Sequence, residues 1–484
     1  MRRTLPRMLS ITTVTTVTAV TAVHPVGLGG RKRKTRISPA AAVGMAVFLV
    51  HAVYALREHA RFGTTGYDLG IFDQAVRSYA EGRWPASEIR TATAGPGFTG
   101  DAYPLLGDHF HPILALLAPL YVVVPHVETL LVAQAALVGF SAYVLTDAAA
   151  RHLPRGRRWA AGPLGLAYGF SWGLQQLTAF DFHEVAFAIP LLALAGRAYL
   201  DGRWVACAWW AGALLLVKED LGATAAVLAV LLWRHHRRAG LLLGAAAVLG
   251  TALTVLVLLP GMAPDGRYGY FDQSQAYGIS DGWSTKLLML GGLLAISGGV
   301  ALRSPFAPLL LPTLGWRLTS PNPAYWGMEL HYSAVLMPIA FVALMDALRR
   351  DGRRVWVVAP LAVAALLLPI QPLAALATPS FWRDTPQQTA ARAALALIPP
   401  GAHVTASNSL APHLTDRATV YLTTATGSSS GAGAVDWLIA VRKDPFPVGG
   451  VEDSIRRAER WGWRVVYERD GVVVLRSGGG DGGA

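Results

Sequence analysis

Apolar runs of roughly 15 to 22 residues, the length that suits membrane helices, recur along the chain from position 39 to 375 with short polar connections between them. The pattern predicts about eleven spans, at 38–56, 127–149, 159–178, 185–200, 204–217, 221–233, 239–260, 286–302, 305–315, 332–348 and 355–375. Two stretches depart from a simple alternation. The run 204–233 is interrupted by Lys218, Glu219 and Asp220. As one straight helix it would be about 45 Å long against a hydrocarbon core of roughly 30 Å, so two short or tilted spans meeting at these residues are expected. The run 305–315 carries Pro305, Pro308 and Pro312. It is too short for an ordinary span and reads as re-entrant or broken, the kind of segment that often lines a binding cavity.

Past position 375 the hydrophobic runs shorten to strand length: "HVTAS", "ATVYL", "WLIAV" and "WRVVYERDGVVVLRS". The last predicts a hairpin turning at Asp470-Gly471, and "VEDSIRRAERWGW" before it has helical spacing. The expected layout is a disordered basic extension (1–37), a polytopic membrane domain (38–375) with a large first loop (57–126), a small α/β domain outside the membrane (376–475) and a disordered glycine tail (476–484). The Thr/Val repeat within residues 1–30 could pass for a signal sequence. A disordered extension, or a start codon placed too early, is the preferred reading.

Charge orients this picture. Alternate loops at 31–36, 151–158, 197–203, 234–238, 303 and 349–354 hold 19 Lys and Arg. The opposing short connections at 179–184, 218–220, 261–285 and 316–331 hold only Lys218, Arg267 and Arg317. By the positive-inside rule the first group faces the cytoplasm. The first loop and the C-terminal domain then lie on the outer face of the cell membrane, with the N-terminus cytoplasmic. The net charge of +12 is explained by those loops and their contact with anionic lipid heads. No basic soluble face suggests nucleic acid. At 53% hydrophobic and 15% charged, the chain is far from an average soluble composition. Its single cysteine, Cys207, forms no internal disulfide.

The expected outer face collects ionisable groups: Asp68 and Asp73 at the head of the first loop, Asp108, His109 and His111 later in it, then Asp181, His183 and Glu184, then Lys218, Glu219 and Asp220, and finally Glu329 and His331. Acids and histidines at span ends are costly to bury and are functional candidates by default. Blander roles compete with each. Asp73 would serve as a solvated residue on an amphipathic helix, Asp181 as a helix cap, and Lys218 as the partner of a neighbouring acid. A divalent metal is a candidate cofactor, with Asp108 and His109 as candidate ligands. It would have to be assembled from different loops, because no HExxH or DxD stands in the acidic loops. No phosphate-binding P-loop is present.

The segments "YDLGIFDQAVRSYAEGRWP", "GDHFHPILALLAPLYVVVP", "DFHEVAFAIPLLALAGRAYL", "LLLVKEDLG" and "HYSAVLMPIAF" together resemble a prokaryotic family of predicted multi-pass membrane proteins, the domain of unknown function numbered two thousand and seventy-nine. "SNSLAPHLTDRATVYL" in the C-terminal part resembles it too. The wider resemblance is to the membrane glycosyltransferases of the GT-C superfamily. It implies a GT-C-like α-helical multi-pass fold whose first external loop carries a catalytic acid. Asp68 falls where that acid falls. Leu69 follows it, where many relatives have a second acid, so Asp73 remains a rival. The resemblance further implies a polyprenyl-phosphate-linked sugar donor at the outer interface, an unidentified acceptor, and Asp68 as general base. Asp181, His183, Glu184, Lys218, Glu219, Asp220 and His331 would then bind substrate. A transporter or lipid flippase, and a non-catalytic protein of cell-envelope assembly, are the alternative readings.

Overall fold

The structure, a computed structural model, describes residues 38–95, 98–269, 277–350, 355–423, 435–444 and 450–478. The expectations for residues 1–37, and for the tail beyond 478, fall outside the described residues.

Four helices among the described residues are long and apolar enough to cross a membrane: Pro39–Ala60, Glu128–His152, Arg237–Met262 and His331–Leu348. Shorter apolar helices include Trp204–Leu216, Leu221–Trp233, Trp283–Ile296 and Trp356–Ile370. The first helix starts cleanly: the Ser38 hydroxyl accepts from Ala41 N–H at 3.1 Å and Pro39 occupies the first turn, where its missing N–H costs nothing. It packs on Glu128–His152 through Gly44 and Gly139. A Cβ on Gly139 would stand 2.7 Å from the Gly44 carbonyl oxygen, so only glycine permits this approach. His331–Leu348 is the central helix, with 94% of its apolar window buried, whereas Arg237–Met262 is peripheral at 17%. The peripheral helix is apolar all round and turns Leu242, Val248 and Leu249 outward. That suits lipid rather than water.

The interrupted runs are interrupted in the fold. Trp204–Gly212 and Leu221–Trp233 are separate helices with Lys218–Asp220 between them. In the proline-rich run, a short turn Ala307–Leu310 leads into the helix Leu311–Thr319. The first loop contains the helix Ile71–Ala80, a two-stranded ribbon of β1 (Ala86–Ser87) and β2 (Tyr103–Pro104), and an apolar segment at 112–123. That segment buries Leu114, Leu117 and Tyr121 and exposes Leu116, Val122 and Val123.

The C-terminal part forms the expected α/β layer. Strands β3 (His403–Ala406), β4 (Thr419–Leu422), β5 (Trp437–Val441), β6 (Arg464–Arg469) and β7 (Val472–Arg476) make one sheet in the order β4-β3-β5-β7-β6. Strands β4, β3 and β5 are parallel, while β7 is antiparallel to β5 and β6. Asp470 and Gly471, at φ of 47° and 80°, make the tight turn of the β6–β7 hairpin. Alternation along β5 and β7 gives the sheet two apolar faces. Leu438, Ala440, Val473 and Leu475 pack on the helix Val451–Arg460. Ile439, Val441, Val472 and Val474 face the other way and share a core with Ile71, Ala75, Ile89 and Leu105 of the first loop. The C-terminal layer and the first loop are therefore one packed body.

Candidate active site

Asp68 sits in a single wide helical turn, Gly66–Gly70, at the head of the helix Ile71–Ala80. Neighbours far away in sequence hold this turn on both sides. The Asp181 carboxyl group accepts, through Oδ2, from both Thr65 N–H and the Thr65 hydroxyl at 2.8 Å. Asn408, in the loop after β3, accepts from Gly66 N–H through its backbone oxygen and from Tyr67 N–H through its side-chain oxygen, each at 2.8 Å. A Cβ on Gly66 would lie 2.6 Å from that of Ala411, so the close approach of the C-terminal loop requires glycine.

Asp68 opens into a cavity of about 1000 Å³. The first loop and the four short connections at 179–184, 218–220, 261–285 and 316–331 all contribute to its wall. On the floor, His183 Nε2 lies 3.6 Å from Asp68 Oδ1, and its Nδ1 lies 2.6 Å from Glu184 Oε2. The other Glu184 oxygen accepts from Lys218 Nζ at 2.8 Å. The His331 ring stacks on His183 with centroids 3.6 Å apart. Neither His331 ring nitrogen has a hydrogen-bond partner among the described residues. Beside this chain, Glu219 accepts from His109 Nδ1 at 2.6 Å, from Phe110 N–H at 3.2 Å and from the Tyr268 hydroxyl at 2.9 Å. Two residues flanking the histidines hold left-handed backbone, Asp181 at φ 65° and Leu330 at φ 61°. Asp tolerates this region, but Leu330, at ψ −179°, holds a conformation that a residue with a side chain adopts only under constraint.

Burial and charge pull in opposite directions here. Burial alone would depress the His183 imidazole, but the Glu184 and Asp68 carboxylates raise it to about 9, so the ring is a cation at neutral pH. Burial would likewise raise Glu184, yet His183 and Lys218 hold it well below the usual carboxylate range. Glu219 is held at about 2 against its burial, chiefly by His109. Asp220, whose Oδ1 has no partner among the described residues, is pushed up to about 6 by burial. Asp181 is raised to about 8, by burial first and then by Asp68.

The candidate residues sort by position. Asp68, His183, His331, Lys218, Glu219 and Asp220 line the cavity, as do Asp108 and His109. Glu184 lies fully buried behind His183 and Lys218. Asp181 braces the Thr65 backbone and lies outside the cavity wall. Asp73 is not the solvated helix residue of the blander reading, nor does it face the cavity. It is fully buried, 3.1 Å from Arg77 Nη2 and accepting from the Tyr121 hydroxyl at 2.8 Å. In the first turn of the helix, its carboxyl meets Tyr121 of the segment 112–123. The donor set does not fit a metal at Asp108 and His109. Asp108 forms a two-point pair with Arg90 at 2.9 and 3.1 Å, and His109 is bound to Glu219. Among the described residues no group of three or more His, Cys, Asp or Glu could hold one. Sequence reasoning passed over Asn408, Trp316, Tyr325 and Tyr332. Asn408 lay within a quoted motif, but nothing local linked it to Asp68.

The long apolar helices, the cavity ringed by their connections and the C-terminal layer packed on the first loop make up a fold that the chain shares with two solved structures. Crystal structures of ArnT from Cupriavidus metallidurans, one bound to undecaprenyl phosphate and one in the apo state, each align with a TM-score of 0.52, at 15% and 13% identity. Each alignment covers 90% of this chain and 97% of the other. No curated protein matches the chain in sequence. Over residues 58–474 the chain matches the model of the predicted membrane proteins called DUF2079, and it belongs to that family.

Proposed function

We propose that the protein is a membrane glycosyltransferase. It would transfer a sugar from a polyprenyl-phosphate carrier to an acceptor hydroxyl at the outer face of the cytoplasmic membrane, with Asp68 as general base. The observation that supports this most directly is the meeting of Asp68, a solvent-reached carboxylate, with the cationic His183 and Lys218 on one cavity floor. A solved structure of the same fold is bound to undecaprenyl phosphate, which favours a lipid-linked donor.

In the proposed reaction the acceptor O–H gives its proton to Asp68 as its oxygen bonds to the anomeric carbon. The bond from that carbon to the phosphate oxygen breaks, and polyprenyl phosphate leaves with an added negative charge. Preorganised cations stabilise that charge where it develops. His183 and Lys218 supply them, both oriented by Glu184. His331 can offer a ring N–H to the phosphate because neither of its nitrogens is engaged among the described residues. No step is assigned to a metal.

The test is Asp68→Asn in nanodiscs, with radiolabelled polyprenyl-phosphate sugars. Loss of label from the lipid should fall about 10²- to 10⁴-fold, the usual worth of a general base, while the donor still binds. Equal turnover by the variant would remove Asp68 from the role. Absence of donor binding by wild type would remove the transferase reading.

A further inference from the structure

We propose that the cavity wall formed by Trp316, Tyr325 and Tyr332 is the sugar subsite, and that the sugar it accepts is uncharged. This rests on the donor reading above and narrows it to a substrate class. The three rings continue the line begun by the stacked histidines. Tyr332 lies 4.0 Å from His331 between ring centroids, Tyr325 lies 4.7 Å from Tyr332 at 86°, and Trp316 lies 5.2 Å from Tyr325 at 81°. Tyr332, Asp68 and Lys218 line the same cavity, and His331 bridges Tyr332 to His183, which lies 3.6 Å from Asp68. A group resting on this wall therefore stands beside the proposed base and cations.

The chemistry of the wall selects its occupant. Aromatic faces are electron-rich, and the C–H face of a pyranose, slightly positive, packs on them. The buried Trp316 Nε1–H has no acceptor among the described residues, and a buried donor left unpaired is costly. A sugar hydroxyl that reached it as the wall adjusts to the ligand would satisfy it. Thr319, Ser320 and Asn322 add hydroxyl and amide groups alongside. A prenyl tail would use the rings but none of these polar groups.

Charge is missing from the same surface. Of residues 316–335 on the cavity wall, none is Asp, Glu, Lys or Arg. The guanidinium of fully buried Arg317 turns away from the cavity and donates to the Tyr325 oxygen at 2.8 Å, the Ser333 hydroxyl at 3.0 Å and the Gly327 oxygen at 2.5 Å. It pins the loop that carries the rings, so the wall is preorganised, which lowers the ordering cost of binding. A uronate or amino sugar would have to set its charge against rings and hydroxyls and reach for a counter-ion outside this wall, among groups such as Asp68 and Lys218 that the proposed reaction already uses, an unfavourable arrangement.

The experiment measures Kd in nanodiscs for bare polyprenyl phosphate and for the same lipid carrying a neutral hexose, a hexuronate or an amino sugar. Wild type, Tyr325→Ala and Trp316→Phe are compared; the last keeps one six-membered aromatic face and removes the N–H together with the fused five-membered ring. Wild type is expected to bind the neutral donor about tenfold more tightly than the bare lipid, the sum of two stacking contacts, and the charged donors no more tightly than the bare lipid. Each variant should lose severalfold of that gain with its Kd for bare polyprenyl phosphate unmoved. A preference for a charged sugar would overturn the proposal. So would variants that weaken bare and glycosylated lipid alike, which would make the wall a lipid contact. Either result leaves the donor reading standing. Failure of wild type to bind any polyprenyl phosphate removes that reading and the subsite with it.

Discussion

Replacing Asn408 with alanine tests whether the C-terminal layer holds the turn that carries Asp68, the proposed base. The substitution leaves the backbone bond to Gly66 in place and deletes the side-chain oxygen that accepts from Tyr67 N–H at 2.8 Å. Asn408 is buried, so the freed N–H is poorly placed to find water. An unpaired donor of this kind costs about 1–3 kcal/mol. If that cost appears wholly as displacement of Asp68, kcat falls roughly 5- to 150-fold. The two bonds from Thr65 to Asp181 resist the displacement, so the lower half of the range is expected. The assay is sugar release from a lipid-linked donor in nanodiscs, with donor Kd and melting temperature measured on the same samples. Donor Kd should hold, because the cationic His183 and Lys218 are held by Glu184 and not by Asn408. Asn408→Asp keeps an oxygen facing Tyr67 and should recover most of the rate. An Asn408→Ala protein with unchanged kcat and only a lower melting temperature would refute the reasoning and reduce the layer to scaffolding.

Other consequences follow from the same geometry. Asp73→Asn breaks a pair with Arg77, whose side chain keeps some solvent, and should cost up to about 3 kcal/mol of stability; unlike Asp68→Asn, it should leave the rate of the folded protein nearly intact, as thermal melts and turnover on one preparation will show. Wild-type activity should fall as pH rises through about 9, where His183 loses its proton. The raised value also stabilises the fold below the ordinary histidine range, and that contribution is lost over the interval up to about 9. Glu184→Gln removes the main carboxylate that opposes burial, so the alkaline limb of the pH–rate profile should move toward neutrality. Gly139→Ala forces a Cβ against the Gly44 carbonyl, and overpacking of about 1–3 kcal/mol should appear as a lower melting temperature in detergent.

Local pattern carried much of the architecture. Hydrophobic periodicity located the long helices, because burial in lipid demands runs of that length. The three charged residues 218–220 marked the break in 204–233, since such side chains are expensive in hydrocarbon. Strand-length runs and Asp470-Gly471 predicted the sheet and its hairpin, whose turn chemistry is local. The clusters of acids and histidines were visible as costly residues at the ends of spans. Which of them meet was not visible. Asp68 and Asp73 are five residues apart, yet one lines the cavity and the other is buried against Tyr121. The difference comes from the wide turn at 66–70 and the rotation of the helix after it, which the packing of Ile71 and Ala75 against the C-terminal sheet accompanies. His183 stacks on His331 across 148 positions, and Asn408 holds Tyr67 across 341. Contacts at that separation leave no period or spacing in the chain. They arise only when helices and sheet close on one another, and that closure turns scattered polar residues into a single floor.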